Sequence, residues 1–174
     1  MINKRITKDV IKQIETLPIT VNRKIDAKDA MRDCRRFGFP KVNGDAFSVK
    51  FPQHYHHIGD EIIIVSIEED LSMDEVLEAF ALCELKPADV LDLIALVNQH
   101  PDAIKESKAI YALFSFVQGS WFSGVPWVSS IVYRYKSQIT SRDIWLNIRH
   151  ERFGFQFKKG TQFAAYRIHH NLGR

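Results

Sequence analysis

The chain has 174 residues, 45% of them hydrophobic and 26% charged, a balance that argues against a disordered or membrane-spanning protein and leaves length enough to bury a core. The overall charge of +3 conceals three blocks. Residues 1–43 carry eleven Lys/Arg against five Asp/Glu, residues 44–130 carry four against fourteen, and residues 131–174 carry nine against two.

In chain order, Thr7 to Leu17 predicts a short helix, with Val10, Ile14 and Leu17 on one face and Pro18 as its stop. Asp26 to Phe37 predicts a second, with Arg32, Arg35 and Arg36 near one side. Asn43-Gly44-Asp45 is a turn signal. Phe47 to Phe51 alternates as a strand, and Glu61 to Ile67 is a β-branched run suited to a central buried strand. A hairpin through the segment 53–59 would join the two.

Ser72-Met73-Asp74-Glu75 is a capping box, followed by Val76, Leu77 and Phe80 facing inward. Pro87 suits the first turn of the next helix, whose stripe is Val90, Leu91, Ile94 and Val97. Asp102 opens a third helix to about Val117. Residues 119–127 read as an aromatic loop, Ser130 to Lys136 as a strand, and Ser141 as the cap of a helix to about His150. Phe153 to Lys158 and Thr161 to His169 predict a hairpin turning at Lys159-Gly160. The whole reads as one α+β domain over residues 1–174. It has a small, mainly antiparallel sheet, a central helical insertion, and a C-terminal helix plus β-hairpin that resembles the end of a winged-helix domain.

The most apolar stretch, Ile110 to Val132, is broken by Gln118, Gly119, Ser120, Gly124 and Pro126, so it reads as core and not as a roughly 20-residue membrane span. The N-terminus lacks the apolar segment of a secretory signal. Cys34 and Cys83 stand alone, which fits a reduced, cytoplasmic setting.

Two constellations carry candidate chemistry. His54, His56 and Glu61 form His-x-His-x4-Glu, imidazole and carboxylate ligands suited to zinc or another transition metal. The spacing resembles the first metal motif of the cupin barrels, but the chain has no matching second motif and places helical patterns where strands would follow. A metal-dependent enzyme is therefore the alternative reading. The second constellation is the basic, aromatic region 131–174. Arg142, Arg149, Lys158, Lys159 and Arg167 are the candidates for neutralising phosphates, with Tyr, Trp and Phe residues interleaved. Phe153, Phe155 and Phe157 alternate, and their shared face reads as core packing.

The acidic middle has no Lys or Arg from Phe51 to Leu85 and could present helices to a basic protein partner, as a protein–protein interaction module. No G-x-S-x-G, no G-x-G-x-x-G and no Walker loop occurs. The leading expectation is a non-catalytic binding or regulatory protein that contacts nucleic acid through its C-terminal region and requires no cofactor.

Overall fold

The structure is a computed structural model and describes residues 5–24, 29–30, 61–104, 109–115, 127–135, 142–150 and 156–168. In chain order the strands and helices are β1 (Ile11–Pro18), β2 (Glu61–Ile67), β3 (Leu71–Ser72), α1 (Met73–Leu82), β4 (Leu85–Pro87) and α2 (Val90–Gln99). Then follow β5 (Ala109–Ser115), β6 (Trp127–Tyr135), β7 (Arg142–His150), β8 (Gln156–Phe157) and β9 (Gln162–Arg167). Short 3-10 turns lie at Lys8–Val10 and Pro101–Ile104.

The run Ile62-Ile63-Ile64-Val65 lacks polar alternation because both faces of β2 are covered. Ile62 and Ile64 join a core with Ile110, Ala112, Ala164, Tyr166 and the α2 residues Leu93, Ile94, Leu96 and Val97. Ile63, Val65 and Ile67 join the opposite core with Phe163, Ala165, Phe157 and the α1 residues Val76, Ala79 and Phe80. The sheet thus lies between α2 and α1. Its strand order is β1-β2-β9-β5-β6-β7, with β4 pairing β9. All its pairings are antiparallel except β5 with β9. The fold class is α+β, with α1 and α2 inserted between β2 and β5.

Both helices start as their sequences direct. Ser72 Oγ accepts from Glu75 N (3.3 Å) and Glu75 returns the bond to Ser72 N (2.7 Å). Asp89 and Asp92 make a second reciprocal box at α2, with Asp89 N donating to Asp92 Oδ2 at 2.7 Å. Pro87 closes β4 instead of opening the helix. Leu77, expected inward, is 37% exposed.

Three expected helices are strands or lie across them. The segment 7–17 holds the 3-10 turn Lys8–Val10 and then β1. Ile11 pairs with Ile67 and Leu17 with Ile62, and the register slips between Gln13 and Glu15. Ile14 is the extra residue of this bulge, and its insertion turned a two-residue period into an apparent helical one. The segment 102–117 holds a 3-10 turn and then β5, an interior strand whose apolar run matches either period.

Most consequentially, the expected C-terminal helix over 141–150 is β7. Ile144, Leu146 and Ile148 keep a strand's alternation, and every residue from Arg142 to His150 has a partner in β6. Among the described residues the C-terminal helix of a winged-helix end is replaced by this strand. The Lys159-Gly160 turn exists, with Gly160 at φ 84° and Thr161 N bonded to Lys158 O at 2.9 Å. It does not join a hairpin, since β8 pairs with β3 while β9 enters the main sheet.

The expected helix over 26–37 has only Asp29 and Ala30 described, both helical. The expected strand 47–51 and its hairpin lie outside the described residues.

Candidate functional site

The ends of the charge blocks meet inside the fold. Arg23, from the first basic block, is held by Asp89 and Asp92 of the acidic block. At the other end of the chain Lys158 Nζ reaches Asp70 Oδ2 at 2.7 Å, and Lys159 Nζ lies 3.8 Å from Glu68 Oε2. Each of these pairs joins a basic block to the acidic one.

The Arg23 pairs belong to a strap. After β1 the chain runs antiparallel along α2, from its C-terminal to its N-terminal end. His100 Nε2 bonds the carbonyl of Pro18. Gln99 brackets Thr20, accepting from its N at 2.9 Å and donating to its O at 2.7 Å. Arg23 then closes on Asp89 and Asp92. The five steps from Pro18 to Arg23 run beside the eleven from His100 to Asp89, about 16 Å of helix, and the pins fall in order along it. Ile19, 4% exposed, fills the core between them.

Asp92 is 0% exposed, and each contact around it is a donor: Arg23, Asp89 N, and Tyr166 Oη at 2.8 Å. Burial pushes its carboxyl up to about 7, and the neighbouring charge of Asp89 adds to the rise; Arg23, the Asp89 N–H and Tyr166 oppose it. The Tyr166 phenol is raised, first by burial and then by Asp92. A buried carboxylate near neutrality beside a tyrosine would suit acid–base chemistry. Here the carboxylate is closed off from solvent and fully occupied by donors, so the cluster acts as a structural lock.

The candidate phosphate-binding residues divide. Lys158 and Lys159 sit on the turn between β8 and β9, with side chains 75% and 68% exposed. Their ion pairs are of the weak exposed kind. Backbone bonds fix the turn to β2: Gly160 N to Ile67 O at 2.8 Å and Ile67 N to Thr161 O at 3.1 Å. Asp70 adds a bond to Lys159 N at 2.9 Å. Arg167 donates to Gln13 Oε1 at 2.7 Å.

Arg142 and Arg149 lie in β7, opposite Tyr135 and Val128 of β6. They are an odd number of residues apart, and the two-residue period of a strand assigns them to opposite faces. Arg149 shares its class with Asn147, Trp145 and Asp143 and, through the register, with Val128, Ser130, Val132 and Arg134 of β6, Arg134 standing opposite Asp143. Sequence reasoning passed over Arg134 as a site residue, although it stands in the basic region, because a helix was expected at 141–150 and a helix has no register with β6.

The aromatic residues also divide. Phe157, Phe163 and Tyr166 are at most 2% exposed. Phe157 and Phe163 meet edge to face at 4.9 Å, and Tyr111 meets Phe157 at 5.4 Å. The Phe157 position is core, as its alternation implies; Phe153 and Phe155 lie outside the described residues.

Of the metal candidates, His54 and His56 also lie outside the described residues. Glu61 is the exposed first residue of β2, opposite Pro18. Among the described residues no three His, Cys, Asp or Glu side chains gather as a metal site. Cys83 sets its thiol 3.7 Å from Lys8 O, and burial pushes that thiol up, away from a reactive thiolate. The exposed side of α1 presents Asp74, Leu77, Glu78 and Leu82. Among the described residues no helix is long and apolar enough to cross a membrane.

No protein-family model, curated protein or solved structure matches this chain.

Proposed function

We propose that the protein is a non-catalytic nucleic-acid-binding protein and that the contact is made by the β6–β7 ribbon, not by a helix and wing. The observation that supports this reading is the register of β6 with β7, which assigns Arg134, Trp145, Asn147 and Arg149 to one sheet face, together with Asp143, which stands opposite Arg134 and leaves Arg149 as the cation without a cross-strand acid. Cations flanking an aromatic and an amide on a strand surface are the elements with which sheet proteins hold single strands. The arginines neutralise phosphates and a ring stacks a base. Lys158 and Lys159 contribute less, because Glu68 and Asp70 offset their charge.

The reading is tested by fluorescence anisotropy with single-stranded and duplex oligonucleotides across a salt series. Single strands bind in preference to duplex, and two or three neutralised phosphates give a log–log salt slope of roughly −1.5 to −2. Arg149→Ala and Arg134→Ala each lower the slope by about 0.7. Failure to bind either form at low salt, or binding indifferent to both substitutions, overturns the reading.

A further inference from the structure

β7 is the last strand of the sheet, and among the described residues it pairs with β6 alone. A second row of backbone N–H and C=O groups to which no described strand is bonded is a template for another strand. The sequence of that strand, Arg142-Asp143-Ile144-Trp145-Leu146-Asn147-Ile148-Arg149-His150, is close to self-complementary when reversed.

A two-fold axis through Leu146 makes Leu146 its own partner. It sets Ile144 against Ile148, Trp145 against Asn147 and, on both sides of the axis, Asp143 against Arg149. Opposite charges and apolar pairs in direct register are the arrangement that stabilises antiparallel strands. The strand has no proline and no lysine, its pairing with β6 runs without a bulge, and its charged residues Arg142, Asp143 and Arg149 lie toward its ends, leaving the centre from Ile144 to Ile148 uncharged.

We propose that β7 pairs antiparallel with β7 of a second copy of this chain, about a two-fold axis at Leu146, extending the sheet from one protomer into the other. The pairing is isologous, so each Asp143–Arg149 match occurs twice and the contact closes on itself as a dimer. The inference uses no property of nucleic-acid binding and stands or falls separately from it.

The experiment is sedimentation velocity over a concentration series on the wild type, Arg149→Asp, and the swap Asp143→Arg/Arg149→Asp. The wild type dimerises. Arg149→Asp sets acid against acid twice and weakens association by about tenfold or more, whereas the swap restores it.

Register is tested by cysteine substitution. Directly opposed antiparallel residues have Cα atoms about 4.5–5.5 Å apart, within disulfide range, so oxidised Leu146→Cys links two copies while Ile148→Cys does not. A wild type monomeric at every concentration overturns the proposal. So does a dimer indifferent to Arg149→Asp, or one that Ile148→Cys links as readily as Leu146→Cys. If Arg149→Asp fails to fold, the cysteine pair alone decides.

Discussion

β1 and β7 close the same sheet at opposite ends, and they treat an open row of backbone groups in opposite ways. β1 carries a bulge at Ile14, the charges of Lys12 and Glu15, and a proline as its last residue, and Arg167 reaches it through Gln13. These features spoil a flat template. The strand then continues into the strap that pins it along α2. β7 is nine residues of uninterrupted register without bulge or proline, and its charges, Arg142, Asp143 and Arg149, lie toward its two ends. One edge is finished within the chain, and the other has the form of an edge that is finished by association. A sheet strand's burial on its faces says nothing about its edges; those are decided by single residues such as Pro18 and Ile14.

The comparison is broken most directly by removing the strap's anchor. Asp92→Ala removes the acceptor of the buried Tyr166 hydroxyl and leaves Arg23 held by Asp89 alone. It should cost about 3–5 kcal/mol, the usual loss when one partner of a buried ion pair is deleted. Chemical denaturation measures it. A loss below about 1 kcal/mol would mean that the strap does not hold the β1 side, since that is the range of exposed pairs.

A smaller effect comes from pH. The carboxyl of Asp92 is raised from 3.8 to about 7 on folding. The folded state therefore binds the proton more tightly, and this group's contribution is fully present below the unfolded value and is lost as pH rises through the folded one. Wild-type stability should fall relative to that of Asp92→Asn between about pH 4 and pH 7, and run level with it above. Denaturant midpoints for both proteins across that range provide the check, and parallel profiles would remove Asp92 as the source.

The smallest effect belongs to the turn between β8 and β9. Changing Lys158 and Lys159 to Ala together should alter stability by no more than about 0.5 kcal/mol, because their ion pairs are exposed and backbone bonds hold the turn. A melting temperature that drops by many degrees would show that Asp70 and Glu68 depend on these lysines to seat the turn on β2.

What could be read from the chain alone follows the reach of each interaction. The capping box at Ser72–Glu75 and the buried strand at Glu61–Ile67 are local patterns, and both are present. The box at Asp89–Asp92 is an Asp-x-x-Asp pair before an apolar run, whereas Pro87, the other helix-start signal there, belongs to β4. β1 and β7 were read as helices. A bulge shifted the phase of the first, and the second has a serine cap signal just ahead of a pattern whose alternation spans only Ile144, Leu146 and Ile148.

The three charge blocks are open to either a charged partner or surfaces within the fold that answer each other, and Arg23, Lys158 and Lys159 meet acids of the middle block. Which acids they meet was not legible, because Arg23 and Asp92 are 69 residues apart and Lys158 and Asp70 are 88 apart. The face shared by Arg134 and Arg149 depends on a strand register that no single segment encodes.

The place of β9 has a consequence for the order in which this chain acquires its structure. β2 and β5 are neighbours only through β9, which also receives β4, and β9 follows every other strand described. Until residues 162–167 leave the ribosome, the β1–β2 pair and the β5–β6–β7 ribbon are separate pieces, each with an apolar strand bare along one side. The final assembly step brings together segments about a hundred residues apart, the kind of long-range closure that folds slowly and exposes unpaired strands while it waits. A chaperone that shields nascent chains has more to do for this sheet than for one assembled from neighbours in sequence.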